Sequence, residues 1–292
     1  MSGVDCVQIL VVDDGSTDGT SGVAQMGGAD VVVRHPGNRG LASAFRTGID
    51  RALAMGADII VNTDGDNQYE QREIPLLIAP ILAGAADIVV GDRRPGEAPH
   101  FSRGKRVLQR AGSRLVRLAS RTDIADAPSG FRAFSREAAL RLNVLSDYSY
   151  TLETLVQAGA QRLRVASVPV TARPVARRSR LMRSLPHYLL HSAATLVRAS
   201  ATYRPLAIFF VAGALLITAG AAGVARFLYF YVTEGGAGHV QSLVLSAAAV
   251  VVGFQVLLIG LVADLVAANR RLLEDALVRL RRLESRDGTR ER

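Results

Sequence analysis

Two uncharged apolar runs late in the 292-residue chain constrain its fold more than any other feature. They cover residues 205–225 and 240–263, and each can cross a hydrocarbon core, which takes about 20 helical residues. Long helices of soluble proteins usually keep a charged face, and these runs have none. We therefore predict two transmembrane helices, 205–232 and 240–263, that form a hairpin.

The charged residues around these runs indicate their orientation. Arginines lie on both outer sides of the pair, whereas the connector 233–239 contains no lysine or arginine. Because cytoplasmic flanks carry the excess of basic residues, we predict an integral membrane protein whose preceding domain and both termini are cytoplasmic. The net charge of +9 then belongs largely to residues beside anionic lipid headgroups, so a membrane partner is expected and a nucleic acid is not.

Residues 1–172 alternate short β-branched stretches with amphipathic ones, which is typical of an α/β domain with a mainly parallel sheet. The predicted strands are 7–12, 30–33, 59–62, 87–91 and 162–170. The predicted helices include 41–55, 73–83 and 105–120. Ligands of such sheets bind beyond the carboxyl ends of the strands, and the chemistry is expected there.

Two further segments border the membrane helices. Residues 173–204 are rich in arginine and include a predicted interfacial helix, 184–203, with a polar stripe and an apolar face. Residues 264–292 form a predicted amphipathic tail that carries Leu273, Leu280 and other apolar residues at heptad-like spacing. This tail fits either a short coiled coil within a homo-oligomer or a helix bound to the membrane surface.

Two adjacent carboxylates, Asp13 and Asp14, follow the strand 7–12 in a turn that continues with Gly15 and Ser16. Such carboxylates can accept hydrogen bonds from the base and ribose of a nucleotide, and Ser16 is placed to cap the next helix. From these residues alone, a nucleotide contact and a simple capped turn both remain open.

A second acidic turn follows the strand 59–62, where Asp64 and Asp66 flank Gly65. Two carboxylates separated by one glycine can share a hard divalent cation and leave positions for a diphosphate, which predicts Mg²⁺ or Mn²⁺. A calcium loop would need a distal glutamate that this segment lacks. A solvated acidic turn without a metal is the alternative.

No phosphate-binding loop of the Walker or GxGxxG type follows any predicted strand. A bound diphosphate would therefore have to be neutralised by a metal and by arginine, whose planar fork binds phosphate oxygens. The candidates are Arg93, which follows the strand 87–91, and Arg132. Taken alone, either arginine could be an ordinary surface residue.

Six segments, in a fixed order, carry a family resemblance. They are VDDGSTDGT, NRGLASAFRTGI, TDGDNQ, IVVGDR, SGFRAF and YTLETL. Together they resemble the family-2 glycosyltransferases of the GT-A fold, in particular the polyprenyl-phosphate branch similar to dolichyl-phosphate mannose or glucose synthases. The resemblance covers residues 7–263. It implies a Rossmann-like domain with a mainly parallel sheet, of the nucleotide-diphospho-sugar transferase type, followed by the membrane hairpin.

The resemblance implies roles for the residues on the donor side. Asp64 and Asp66 resemble the DxD motif that binds the metal and the donor diphosphate. The donor-binding set that it implies is Asp13, Asp14, Gln68 and Arg93.

The resemblance also implies an acceptor side. Ser129, Arg132 and Arg180 resemble contacts to the acceptor phosphate, and Glu153 matches a helix carboxylate near the acceptor. The catalytic set implied in this way is Asp64, Asp66, Arg132 and Glu153.

These parts would support an inverting single displacement. The phosphate of an undecaprenyl or dolichyl lipid would attack the anomeric carbon of a UDP- or GDP-linked sugar. The second pKa of such a phosphate is about 6, so it is largely anionic at neutral pH and needs no strong general base. The metal and the arginines would balance the charges of the leaving diphosphate and the nucleophile.

One departure from the family affects the expected activity. Relatives begin with a further strand and a Pro-x-x-Asn-Glu-type turn, and only a few residues precede Val7 here. We expect the natural start to lie upstream; the alternative is a catalytically impaired membrane homologue that acts as a partner or scaffold. A processive polysaccharide synthase is not expected, because the chain has no tryptophan for the Gln-x-x-Arg-Trp motif of that group.

Overall fold

The computed structural model describes residues 3–93, 122, 124, 126–144, 150–173, 205–235 and 240–290. The chain divides into two compact units. Met1–Ala199 and Glu274–Arg292 form one, which we call the α/β unit, and Ser200–Leu273 form the other, which we call the helical unit. The predicted helices 105–120 and 184–203 lie outside the described residues.

Six strands form two sheets in the described part of the α/β unit. They are β1 (Leu10–Asp13), β2 (Val31–Arg34), β3 (Ile59–Asn62), β4 (Ile88–Asp92), β5 (Arg132–Ser135) and β6 (Val165–Pro169). Strands β1 and β2 pair in parallel, and the second sheet has the order β3-β5-β4-β6. Strands β4 and β6 are parallel, which confirms the parallel character predicted from the sequence. All five predicted strands are present.

The helices of the α/β unit lie between these strands, as the alternating pattern predicts. They are α1 (Thr20–Met26), α2 (Leu41–Ala54), a short 3₁₀ helix (Gln71–Glu73), α3 (Ile74–Leu82), α4 (Arg136–Arg141) and α5 (Tyr150–Ala160). Helix α3 packs on the four-stranded sheet through Leu77, in a buried cluster with Val89 and Phe131. The predicted helices 41–55 and 73–83 are confirmed.

Two local features differ from the prediction. Strand β5 lies antiparallel between β3 and β4, and the sequence did not reveal it because its residues are buried on both faces and do not alternate. The prediction that Ser16 caps the next helix is wrong. Helix α1 begins at Thr20 behind Gly19, whose φ of 75° suits a residue without a β-carbon.

One edge of the four-stranded sheet gathers the polar segments. Strands β3 and β4 end there, and the antiparallel β5 begins there, with Arg132 opposite both Asn62 and Val90. The turn after β3 carries Asp64, and Arg93 follows β4 directly. The fold thereby brings three segments that are distant in sequence to one place.

The helical unit contains helix α6 (Pro205–Glu234) and the first part of helix α7 (Val240–Arg290). Both helices are long and apolar enough to cross a membrane, with mean hydropathy of 2.2 and 2.4 in their most apolar windows. They run antiparallel, because Gly213 faces Gly253 and Gly220 faces Ser246. A β-carbon on Gly213 would lie 2.8 Å from the carbonyl oxygen of Gly253, so glycine permits the close approach of the two backbones.

Helix α7 continues beyond the predicted end of the second span at residue 263. Its last part belongs to the α/β unit, where Arg281 lies 3.2 Å from Oδ1 of Asp50 on α2. The same guanidinium donates to the carbonyl oxygens of Leu140 and Leu142 at the end of α4, at 3.2 and 3.1 Å. Arg282 forms an ion pair with Glu137. The tail is therefore docked on α2 and α4.

Candidate active site

The first acidic turn is held by bonds within the chain. Asp13, at the end of β1, accepts hydrogen bonds from the hydroxyl of Ser21 and from the backbone N–H of Ser16. These bonds lower the pKa of Asp13 to about 2. The carboxylate is 2% exposed, so it acts as a support of the turn.

Asp14 connects this turn to the loop that follows β2. Its carboxylate accepts hydrogen bonds from the backbone N–H groups of Arg39 and Gly40 at 2.9 and 2.8 Å. Its Oδ1 also lies 2.7 Å from Nδ1 of His35, whose Nε2 lies 2.9 Å from the hydroxyl of Thr47. Burial favours the neutral carboxyl of Asp14, but these bonds outweigh it and lower its pKa. Asp14 thus fixes the two loops together.

The second acidic turn contains two carboxylates in different environments. Asp64 is partly buried, whereas Asp66 is exposed and accepts the backbone N–H of Gln68 at 3.0 Å. Burial raises the pKa of Asp64, and the nearby charge of Asp66 raises it further, although Arg93 and Arg132 act in the opposite direction. A cation bound here would favour the ionised form of both carboxylates.

These two carboxylates fit a Mg²⁺ or Mn²⁺ ion that completes its shell from outside the protein. Within the described residues, no group of three or more His, Cys, Asp or Glu side chains could hold a metal. Mg²⁺ commonly uses one or two carboxylates, several waters and substrate phosphates. The proximity of the two carboxylates, each of which disfavours the charge of the other, is the observation that suits such an ion.

The loop before β5 lies directly against the acidic turn. The N–H of Gly130 donates to the hydroxyl of Tyr69 at 3.1 Å, and its carbonyl accepts Nδ2 of Asn62 at 2.8 Å and the hydroxyl of Tyr150 at 3.3 Å. The peptide backbone of Gly130 packs on the carboxylate of Asp64. The SGFR and TDGD segments are therefore in direct contact.

Arg93 forms a bidentate ion pair at this edge of the sheet. Its Nε lies 2.7 Å and its Nη2 2.9 Å from the two oxygens of Asp126, which is fully buried. Burial disfavours the charge of Arg93, but the bonds to Asp126 prevail and raise its pKa. Within the described residues, its Nη1 has no hydrogen-bond acceptor, so Arg93 still has a donor for a phosphate.

Arg132 is fully buried, and its bonds go to neutral acceptors. Its guanidinium donates to the carbonyl oxygens of Ala127, Ser129 and Thr151 at 2.6 to 2.8 Å. It also donates to the hydroxyl of Thr154 at 2.8 Å. Burial lowers the pKa of Arg132. Four of its five N–H groups are engaged in this way, so Arg132 holds the loop before β5 onto α5.

The other predicted acceptor-side residues differ in their hydrogen bonds. Ser129 is fully buried, and its hydroxyl makes no hydrogen bond to any described residue. Glu153, on α5, accepts Nε2 of Gln157 at 3.2 Å, and the neighbouring Thr154 accepts Nη1 of Arg132. Arg180 lies outside the described residues.

The start of the basic segment lies beside the acidic turn. The carbonyl of Gln68 accepts the N–H of Arg173 at 2.8 Å, and Tyr69 forms an isolated β-bridge with Ala172. Glu73 accepts both the N–H and the hydroxyl of Thr171 at 2.7 Å. The segment that leads toward Arg180 therefore departs from the edge where Asp64 and Asp66 lie.

Several residues of this site were not predicted. They are His35, Asn62, Tyr69, Asp126 and Tyr150, and each is a hydrogen-bond partner of a predicted residue or of the Gly130 peptide. Tyr69 and Asn62 flank the TDGD segment, and Asp126 precedes SGFR closely. Proximity to these motifs is the signal that could have identified them.

Comparisons with known proteins find several that are similar to this chain. Residues 5–142 match the family model described as Glycosyl transferase family 2. Glycosyltransferase AglJ of Haloferax volcanii is 30% identical over 271 residues, which cover 90% of this chain and 86% of that protein. The UDP-N-acetylglucosamine–dolichyl-phosphate N-acetylglucosaminyltransferase of Methanococcus voltae is 30% identical over 186 residues, covering 56% of this chain and 73% of that protein.

A solved structure is also similar. Glucosyl-3-phosphoglycerate synthase of Mycobacterium tuberculosis, in complex with Mn²⁺, UDP and phosphoglyceric acid, superimposes with a TM-score of 0.51 at 27% identity. The match covers 66% of this chain and 67% of that one. The two acidic turns lie within residues 5–142, which the family model matches.

Proposed function

This chain belongs to glycosyl transferase family 2, and we propose that it transfers a sugar from a nucleotide diphosphate to a polyprenyl phosphate at the cytoplasmic face of a membrane. The α/β unit has the GT-A fold of this family. The observation that carries the proposal is the contact between the Asp64 turn and the loop at Gly130, next to Nη1 of Arg93, which has no acceptor among the described residues. A negative leaving group and a negative nucleophile could meet there.

The donor side of the proposed site consists of the two acidic turns. Asp64 and Asp66 would hold the Mg²⁺ or Mn²⁺ ion, which supplies positive charge to the departing diphosphate when it is bound. Gln68 follows directly and is fixed by its backbone to Asp66. Asp13 and Asp14 would shape the nucleotide pocket by fixing the first turn and the loop at Gly40. The Mn²⁺ and UDP of the M. tuberculosis enzyme support this assignment.

The acceptor side would use Nη1 of Arg93 and the hydroxyl of Ser129, neither of which has a hydrogen-bond partner among the described residues, and Arg132 as a buried support. Arg93 can offer Nη1 to a phosphate while Asp126 fixes its orientation. The buried hydroxyl of Ser129 could serve the same anion. Arg132 would act by holding the loop around Ser129, and Arg180 would approach from the basic segment. Glu153 would support α5 through Gln157.

The reaction would invert the anomeric carbon. The phosphate oxygen of the acceptor is largely anionic at neutral pH, so the chain needs to orient it rather than deprotonate it. Arg93 would reduce its repulsion from the donor diphosphate, and Asp64 and Asp66 would keep the donor in place. The acceptor of the M. voltae relative is a dolichyl phosphate, which supports a polyprenyl phosphate here.

Transfer can be measured with purified full-length protein in detergent, labelled sugar nucleotides, and undecaprenyl or dolichyl phosphate. We expect transfer that depends on Mn²⁺ or Mg²⁺ and that Asp66→Ala abolishes. Asp5→Ala is a matched control, because Asp5 is an exposed carboxylate before β1. Equal transfer by the two variants, or none by the wild type with any donor, would contradict the proposal.

The proposed membrane topology can be tested with the only cysteine of the chain, Cys6, which is exposed. In intact cells, a membrane-impermeant maleimide should not label Cys6 if the α/β unit is cytoplasmic. After permeabilisation, the maleimide should label Cys6. The control variant Cys6→Ser with Ala237→Cys places the thiol in the predicted external connector, and it should react in intact cells. The reverse pattern would exclude a cytoplasmic α/β unit.

A further inference from the structure

Both backbone polar groups of Gly130 are bound by side chains: Asn62 and Tyr69 flank the TDGDNQ segment, and Tyr150 begins the YTLETL segment. We propose that Asn62, Tyr69 and Tyr150 are positioning residues that fix the backbone of Gly130. They would hold it against Asp64, so that the acceptor loop and the metal-binding turn keep one common geometry. This inference rests on the proposed function, in which Asp64 is a metal ligand.

The hydrogen bonds fix the two peptide groups that meet at the α-carbon of Gly130. Its N–H points to the hydroxyl of Tyr69, and its carbonyl receives both Asn62 and Tyr150. Nδ2 of Asn62 also donates to the hydroxyl of Tyr150 at 2.7 Å, which closes a small ring of bonds. A rotation of either peptide group would break the bonds on its side in a buried environment, where an unsatisfied polar group is costly.

Ring stacking fixes the side chains of Tyr69 and Tyr150. Tyr69 stacks on Phe131 with ring centroids 5.0 Å apart, and Tyr150 stacks on Phe45 at 4.0 Å with nearly parallel planes. Both tyrosines are only 1% exposed. A phenylalanine could therefore keep the packing of either ring and remove only the hydroxyl.

The positions of Asn62 and Gly130 in the chain explain why a movement at Gly130 would affect both the metal-binding turn and the acceptor loop. Asn62 is the last residue of β3, two residues before Asp64, so its side chain ties the end of that strand to the loop. Gly130 lies between Ser129 and the strand that begins with Arg132. A displacement of the Gly130 backbone would therefore move both the Asp64 carboxylate and the loop that carries Ser129.

The test compares Tyr69→Phe with the wild type in the full-length protein. The probes are Mn²⁺ alone, titrated by electron paramagnetic resonance, and the KM for the polyprenyl phosphate acceptor. Loss of one buried hydrogen bond corresponds to an effect of about three- to tenfold. We expect the Mn²⁺ dissociation constant and the acceptor KM to rise together by that factor, with a smaller change in kcat.

Ser135→Ala is the matched control. It removes the side-chain bond that caps α4, at the far end of β5, and it does not touch the Gly130 peptide. It should lower the melting temperature without changing the Mn²⁺ dissociation constant. Tyr150→Phe should resemble Tyr69→Phe, and the double variant should show less than the product of the two effects, because both bonds hold the backbone of the same residue, Gly130.

The outcomes separate this inference from the proposed function. A Mn²⁺ dissociation constant that stays unchanged in Tyr69→Phe, while the wild type binds Mn²⁺ and Asp66→Ala does not, would overturn the positioning role alone. A wild-type protein that does not bind Mn²⁺ would overturn both.

Discussion

Gly130 and Asp64 are in direct contact: a β-carbon built on Gly130 would lie 2.5 Å from Oδ2 of Asp64 and 3.0 Å from its Cγ. Real β-carbons essentially never come within 3.0 Å of such atoms. Only glycine therefore permits this approach of the loop to the acidic turn.

Gly130→Ala tests this contact. The added methyl group must displace either the Asp64 carboxylate or the Gly130 peptide, and overpacking of this kind costs about 1 to 3 kcal/mol. We expect a lower melting temperature and at least a tenfold weaker binding of Mn²⁺, measured by titration. Gly22→Ala is the control, because a β-carbon at that exposed position in α1 meets no atom within 4 Å. Wild-type Mn²⁺ binding by Gly130→Ala would disprove the contact.

Arg132→Lys should destabilise the α/β unit although it keeps the charge. A lysine cannot supply the planar fork that reaches Ala127, Thr151 and Thr154 at once. Hydrogen bonds to charged groups contribute about 1.5 to 3 kcal/mol each, so a loss of about 2 to 4 kcal/mol is expected on denaturant unfolding.

Arg279→Lys is the control for Arg132→Lys, because Arg279 is an exposed residue of the tail. It should unfold like the wild type. If Arg132→Lys were equally stable but lost its affinity for the acceptor phosphate, a direct contact between Arg132 and that phosphate would be favoured over a supporting role.

The pH dependence of stability should report Asp64. Its pKa is above the ordinary value of 3.8, so the folded state holds this proton more tightly than the unfolded state does. The corresponding stabilisation is complete below about pH 3.8 and is lost as the pH rises through the raised pKa. In EDTA, the wild type should therefore lose stability over this interval relative to Asp64→Asn.

Melting temperatures of both proteins, taken in steps from pH 4 to 8, check this sign. Added Mn²⁺ should stabilise the wild type more as Asp64 ionises, because the ion binds the carboxylate. Asp64→Asn should show little of this Mn²⁺ effect. A difference between the two proteins that does not change with pH would show that Asp64 does not titrate in this range.

Arg281→Ala should release the tail from the α/β unit. Arg281 joins Asp50 of α2 to two carbonyl groups at the end of α4, and alanine removes all three interactions. We expect faster hydrogen exchange in the tail and in residues 136–142, measured by mass spectrometry. Arg279→Ala is the control, since Arg279 is exposed and, among the described residues, makes no contact of this kind. Unchanged exchange in Arg281→Ala would show that the tail is held by other contacts.

The sequence predicted the acidic edge of the sheet because the signals there are local. The β-branched run Ile59–Asn62 stops directly before Asp64, and the strand before Arg93 is equally apolar, so both strand ends were evident. The apolar runs of α6 and α7 are visible for the same reason, since a membrane span depends on composition along one segment.

The rest depends on contacts between distant residues. Asp126 pairs with Arg93 across 33 positions, and Tyr150 reaches Asn62 across 88. Strand β5 is buried on both sides, so its sequence shows no alternation of polar and apolar residues. Arg132 within it is buried, although an arginine in a sequence is usually taken for a surface residue. Such features follow from the topology of the sheet rather than from any local pattern.

The docking of the tail has a practical consequence for producing the α/β unit without its hydrophobic hairpin. A fragment cut after residue 173 would leave Asp50, Glu137 and the carbonyl groups at the end of α4 without the partners that Arg281 and Arg282 supply in the whole chain. Supplying residues 274–290 as a separate peptide, or joining them through a flexible linker, would restore these interactions in a fragment intended for crystallisation.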